Sequence, residues 1–512
     1  MRHGGVTLFL TILTIAAVII VNMIAAALAG RYDWMFFDMN PTYVYDISDN
    51  FQDYVSEYVI PEVDRVNGEK TAQDGNAEKI KIIFCDDEKN IMEDSSQKYI
   101  HDSFYKLLDI FPQYMEIDYL DIWERPSVAR AYGVTATTDV VFAFNDRHET
   151  LNVADFYITE SATSSTITAY NGEKMIASAL LRVTMKDSAV CYFTSNHGEN
   201  FGDYEFMRAV VEAGYSMAFI DLSAEDIPED CELLVTFDPK QDFVVADSVS
   251  GVSEIEKLDN YMNNGGKYMV FMSADSFSSG ARANIEGFLA KWGVKYMHET
   301  SSEGIEHSYL IKDEMNSTTP DGYTVLSKNA TAGLGGTIMK GLPESNVFGN
   351  CTCISFADGF ESNGNGDYIK TIDGKERIVS ALMLAQSSAE AWSGGRAVAR
   401  ASETPFVLMS VSSQKCDNGE EAFLFASAST DFASAGSMNS AVLGNSRTVT
   451  GIFHYIGREN APVELVFKPF GSTVIESLPT FDANVLTVVL VAVPAVTFAI
   501  LGVFVLVRRK HL

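Results

Sequence analysis

The sequence predicts an α/β protein in which two terminal transmembrane helices flank a large acidic middle. Three observations carry that expectation. An uncharged apolar run lies near each end, strand-like and helix-like segments alternate between them, and acidic residues far outnumber basic ones. The chain has 512 residues and a formal charge of −32, from 69 Asp and Glu against 37 Lys and Arg.

The first apolar run is Val6 to Ala29, with Asn22 as its one strongly polar residue. As a helix it would reach roughly 36 Å at about 1.5 Å per residue, against a hydrocarbon core of about 30 Å. Ala483 to Val507 forms a second uncharged run. A helix facing water carries charge on one side, so two such runs read as spans 6–29 and 483–507. Ala27-Leu28-Ala29 is a small-x-small pattern of the kind cleaved signal peptides carry. The run is longer than their apolar core of about 7–15 residues, so an uncleaved anchor is expected. Arg508, Arg509 and Lys510 follow the second run, and positive residues stay inside. The expected location is the bacterial plasma membrane, with both termini cytoplasmic and residues 30–482 outside.

That outer segment holds all 69 acidic residues and all but four of the basic ones. A body this acidic is repelled by phosphate backbones, which argues against nucleic acid as a partner. The six cysteines, Cys85, Cys191, Cys231, Cys351, Cys353 and Cys416, are too few to build a disulfide fold of this size. Cys351-x-Cys353 has no second pair, so no zinc site is expected, and no H-E-x-x-H occurs. No metal and no cofactor is expected.

The first outer unit is expected over 42–157. Residues 61–78 are polar with Gly68 and Gly75 and read as a loop. Lys79–Cys85 reads as a strand. Ser95–Phe111 reads as a helix, with Tyr99, Phe104, Leu107, Leu108 and Phe111 on one stripe, stopped by Pro112. Met115–Leu120 and Thr138–Phe144 are further strands, and His148–Val153 pairs after the last. Strand, helix, strand, hairpin resembles a thioredoxin-like topology. Its redox chemistry is missing, because Cys85 stands alone with no C-x-x-C.

The second unit is expected over 170–475. Ala189–Thr194, Tyr215–Leu222, Cys231–Phe237 and Lys267–Ser273 are apolar strands. Helices between them end at Gly214 and Asn264-Gly265-Gly266. Ser253 to Glu256 has the form of a capping box, opening a helix with Ile255, Leu258 and Met262 inward. Ile285–Trp292 is a short helix. Alternating βα units with fully apolar strands predict a doubly wound parallel sheet. Further on, Ile378–Gln386 reads as helix, Phe406–Val411 and Glu421–Ala426 as strands, and Asn439–Gly457 as helix.

In this order the residues resemble the gliding-motility-type auxiliary subunits of ABC transporters, the GldG-like family. Four places carry the likeness. Arg31-Tyr32-Asp33 with Tyr43–Ser48 is similar to a juxtamembrane segment. Phe193-Thr194-Ser195-Asn196-His197-Gly198-Glu199 is similar to a strand-end TGHGE turn. Leu233–Pro239 followed by Leu258–Lys267 is similar to a strand and helix ending in Gly-Gly. Ser429-Thr430-Asp431-Phe432 with Leu443-Gly444-Asn445 is similar to a late Asp-Ser-Asp-Phe segment whose first acid is Ser429 here. The resemblance implies that 170–475 is a flavodoxin-like, class I amidotransferase-like domain. It implies a non-enzymatic auxiliary subunit beside an ABC permease and a cytoplasmic ATPase. The chain has no G-x-x-x-x-G-K-[ST] loop of its own, so energy would come from those partners.

Candidate ligand-binding residues follow from the strand ends, where open α/β sheets bind ligands. They are Ser195, Asn196, His197, Gly198 and Glu199 in the first turn, and Asp238 and Asp431 at later strand ends. His197 is able to donate near neutral pH, and Gly198 lets backbone approach closely. Glu199 and Asp203 place negative charge where an anion would bind. No catalytic residue is assigned: Cys191 lies inside its strand, and no G-x-S-x-G frames Ser195. The rival readings are a membrane-tethered hydrolase or amidotransferase-like enzyme and a purely structural envelope protein.

Overall fold

Ser48 caps the first described helix, its Oγ accepting from the Phe51 amide. The computed structural model describes residues 46–470 apart from 75–76, 160–165, 186–188, 202–204, 247–252, 278–281, 301–305 and 441. Helix α1 (Asp49–Tyr54) passes through a π-helical turn (Val55–Val59) into α2 (Ile60–Asp74). Phe51, Val55, Val59 and Val63 are buried along it at a spacing of four. That spacing drifts on an ordinary helix of 3.6 residues per turn, and the wider π turn keeps the stripe in line. The loop expected over 61–78 is therefore mostly helix, held by packing that its polar composition does not reveal.

A four-stranded sheet follows. It contains β1 (Ile80–Phe84), β2 (Met115–Tyr119), β3 (Asp139–Phe144) and β4 (Arg147–Asn152), in the order β2-β1-β3-β4. β1 runs parallel to β2 and antiparallel to β3. The helix Ser95–Ile110, here α3, is capped by Asp94 and buries Ile100, Phe104 and Leu107. The short strands β5 (Tyr157–Thr159) and β6 (Ile167–Tyr170) lead to α4 (Gly172–Thr184), which is buried on nearly every face.

The second sheet has thirteen strands. Its parallel half comes from β7 (Val190–Thr194), α5 (Glu205–Glu212), β8 (Ser216–Ile220), β9 (Cys231–Phe237), α6 (Glu254–Asn263), β10 (Lys267–Phe271) and α7 (Ala283–Lys291). Successive strand residues bury on opposite faces. Leu233, Val235 and Phe237 join one core with α5, while Leu234 joins the other with α6 and α7. Burial on both faces is why these strands read as continuous apolar runs.

The other half is antiparallel. It includes β11 (Val294–Tyr296), β12 (Thr324–Asn329), β13 (Val347–Gly349), β14 (Ile354–Phe356), β15 (Asp367–Ile372), β16 (Lys375–Ala385) and β17 (Val407–Lys415). β18 (Glu421–Ser427) joins the halves, antiparallel to β17 and parallel to β10. The main path runs β13-β12-β16-β17-β18-β10-β9-β7-β8. α8 (Gly333–Ile338) lies against β16, and α9 (Asn445–Tyr455) adds Val449, Ile452 and Phe453 to the core.

The expected fold class is corrected accordingly. The body Asp46–Lys468 is one mixed α/β unit with several sheets, and within the large sheet β18, β10, β9, β7 and β8 run mutually parallel. Two domains flanked by terminal transmembrane helices do not describe it. Among the described residues no helix is long and apolar enough to cross a membrane. The spans expected at 6–29 and 483–507 lie outside the described residues. The helix expected over Ile378–Gln386 is also corrected, because those residues lie in strand β16 apart from Gln386. An apolar run pairs equally well with either period, and hydrogen bonding to β15 and β17 decides for strand.

Candidate functional site

The turn after β7 is shaped by two left-handed residues, Asn196 at φ 80° and Gly198 at φ 74°. Asn tolerates that region better than most side chains, and Gly is free to adopt it. A Cβ on Gly198 would also stand 3.2 Å from Lys240 Cβ, where a second loop crosses the turn. Lys240 N and Gln241 N both donate to the His197 carbonyl at 2.8 Å. Ser195 closes the start of the turn, its Oγ donating to Ile220 O at 3.1 Å.

His197 is buried and fully engaged. Its Nδ1 meets Glu199 Oε1 at 2.9 Å and its Nε2 meets Glu254 Oε2 at 3.1 Å. Its ring stacks on Phe243 with centroids 3.9 Å apart. Both carboxyls are held in turn. Glu199 accepts from Thr194 Oγ1 at 3.0 Å and from the His197 amide at 2.7 Å. Glu254 accepts from the Val244 amide at 2.6 Å. Burial alone would lower the His197 pKa, but the hydrogen bonds and charges of Glu199 and Glu254 outweigh it and lift the value to about 9. Glu199 shows the matching balance: burial raises its pKa, and the bonds from His197 and the backbone bring it below the ordinary value. Both ring nitrogens therefore act as donors, and the imidazolium ties β7, the 238–244 loop and the start of α6 together.

A chain of hydroxyls continues beneath it. Tyr268 Oη donates to Thr236 Oγ1 at 2.8 Å, and Thr236 Oγ1 meets Thr194 Oγ1 at 2.9 Å. This buried line crosses β10, β9 and β7 and ends on Glu199.

Asp238 is buried beside this turn, with φ 53°, and accepts from Lys240 Nζ and Ser276 Oγ, both at 2.7 Å. Asp431 belongs to another cluster. Its Oδ2 accepts from Asn350 Nδ2 at 3.3 Å, and the carboxyl rests where a Cβ on Gly349 would stand. The structure thus brings Ser195, Asn196, His197, Gly198, Glu199 and Asp238 into one neighbourhood and sets Asp431 elsewhere. Glu199 lies in the loop before helix α5, and Asp203 lies outside the described residues.

Sequence reasoning missed Glu254, Phe243, Thr194, Thr236 and Tyr268. Ser253 does cap α6, accepting from the Glu256 amide, but the Glu254 beside it turns to His197. Two threonines within interior strands were the available signal, since a buried hydroxyl needs a partner.

Chemically, the neighbourhood is satisfied from within. Ser195 donates to backbone. Cys191 is fully buried, and burial raises its thiol pKa well above the ordinary value. All six cysteines are buried and free. Among the described residues, no three His, Cys, Asp or Glu side chains are grouped to hold a metal ion.

No family model matches the chain, and no curated protein matches it in sequence. The solved structures that resemble it distantly include the following three. The mmIFT52 N-terminal domain is 12% identical with a TM-score of 0.35, covering 52% of this chain and 96% of that one. PurLQS from Thermotoga maritima is 13% identical at a TM-score of 0.25, covering 52% and 99%. Cytoplasmic Protein STM3548 from Salmonella typhimurium is 12% identical at 0.23, covering 37% and 85%. These likenesses are too distant to assign this chain a fold or a function.

Proposed function

We propose that this chain is a non-enzymatic auxiliary subunit of an ABC transport system. Its Asp46–Lys468 body binds the substrate or an envelope partner outside the cytoplasm, while an ABC permease and a cytoplasmic ATPase supply pathway and energy. The observation that carries this reading is the closed state of the His197 turn. At the sheet edge where a catalytic group would stand, the imidazole is spent on Glu199 and Glu254. A general base needs a free nitrogen within reach of its proton, and this ring offers none.

The ordered motifs around Phe193–Glu199, Leu233–Pro239 and Ser429–Phe432 support the same class, as does the lack of a nucleotide-binding loop. A hydrolase reading has less support, since Ser195 Oγ donates to Ile220 O and Cys191 lies inside its strand.

Affinity purification of the tagged full chain from its own cells, in mild detergent, tests the proposal. Recovery of an ATPase and a multi-span permease in stoichiometric amounts is expected. A chain that purifies alone, or one that hydrolyses ester or amide probes in a His197-dependent way, would overturn it.

A further inference from the structure

A cleft of about 650 Å³ opens in the antiparallel half of the large sheet, well outside the His197 neighbourhood. Small-molecule sites run from about 300 to 1,000 Å³ and combine apolar walls with a few polar groups. This cleft has that make-up. Ile354 and Phe356 of β14, Leu384 of β16 and Phe406 and Val407 beside β17 supply apolar wall.

The decisive feature is charge. Among the described residues, none of the eighteen that line the cleft is Asp, Glu, Lys or Arg, in a chain that carries 69 acidic and 37 basic residues. Two other large clefts differ. One is lined by Asp226, Glu229, Glu232, Lys257, Lys267 and Glu420 among others. The second carries Asp53, Glu57, Lys340, Glu459 and Glu464. An ion entering the uncharged cleft would lose water without gaining an opposite charge, which is costly. An uncharged molecule meets no such penalty.

Hydroxyl groups supply the polar part. Tyr309, Tyr368, Thr331 and Thr404 all line the cleft. Tyr368 packs its ring against Phe356 with centroids 4.6 Å apart, which fixes one side of the opening. Thr331 and Thr404 are exposed at the rim. Hydroxyls both donate and accept, so they suit a ligand end bearing hydroxyl or carbonyl groups.

We propose that this cleft binds an uncharged, lipid-like small molecule, with an acyl chain against β14 and β16 and a hydroxylated or carbonyl end at the Thr331–Thr404 rim. The site stands apart from the transport reading. It would serve any assembly that presents such a molecule to the chain.

Photolabelling of the full chain tests it, using a monoacylglycerol with a diazirine in its acyl chain and peptide sequencing by mass spectrometry. Label is expected in residues 353–368 and 399–407. Thr404→Arg puts a cation on the exposed rim, where folding tolerates it, and should cut that label about tenfold with an unchanged Tm. Tyr368→Arg repeats the test from strand β15. Wild-type chain without label in those segments, or label undiminished in both folded variants, would overturn the proposal. Co-purification with a permease is a separate readout, so either idea can fail alone.

Discussion

His197 Nε2 and Glu254 Oε2 lie 3.1 Å apart in the interior, although 57 residues separate them in the chain. With Glu199 on the other ring nitrogen, the histidine is a buried cation between two carboxyls. Removing it strands both acids. His197→Ala should cost about 3–5 kcal/mol, the range for breaking a buried ion pair from one side. Urea unfolding measures this. A loss under about 1 kcal/mol, the scale of an exposed pair, would contradict the bridging role.

The same group sets a pH dependence. Its folded pKa is raised to about 9 from an ordinary value of about 6.5. A raised pKa means that the folded state holds the proton more tightly. The added stability is complete below about pH 6.5 and is lost as pH climbs through about 9. Glu199 acts in the opposite sense. Its lowered pKa stabilises above the ordinary carboxylate range and is lost as acid protonates it. The urea midpoint of the wild-type chain should fall between about pH 6.5 and 9, and His197→Gln should flatten that fall.

Two helical glycines should respond in opposite directions to alanine. A Cβ on Gly335, in α8, would stand 1.8 Å from Ala381 O. Gly335→Ala therefore has to push α8 off β16, costing about 1–3 kcal/mol or more. Gly287 is exposed in α7 with nothing within 4 Å of an added Cβ. Gly287→Ala should stabilise by up to about 1 kcal/mol through helix propensity. Thermal unfolding of the two variants decides both signs.

Thiol chemistry should report the folded state. All six cysteines are free and buried, and burial lifts Cys85, Cys231 and Cys353 to about 12. Burial also keeps a reagent from every one of the six, so none should react with a disulfide reagent in the native chain. All six should react after unfolding. Rapid labelling of any one in the native protein would show that its segment opens.

The parallel half of the large sheet was legible because its strands are apolar on both faces. Cys231–Phe237 matches its predicted bounds residue for residue. In the antiparallel half the strands expected at Phe406–Val411 and Glu421–Ala426 are found at Val407–Lys415 and Glu421–Ser427, but the longest strand was misread as helix. Lys375–Ala385 is apolar on most positions, and only its partners Asp367–Ile372 and Val407–Lys415 make it a strand. Helix Ile60–Asp74 hid behind polar composition, because a few valines at the wider spacing of a π turn hold it. At the site, the turn Ser195–Glu199 could be found from its own residues. Glu254 could not, since nothing local to Ser253–Glu256 points across the fold to position 197. The uncharged cleft was equally hidden, being assembled from strands far apart in sequence.

The central claim is that His197 is a protonated structural bridge and not a free base. Incorporating nitrogen-labelled histidine and following its ring nitrogens by NMR across pH tests this directly. Both nitrogens should be protonated at neutral pH, with a midpoint at about 9. A ring that is neutral at pH 7, titrating at or below about 6.5 like a free histidine, would contradict it.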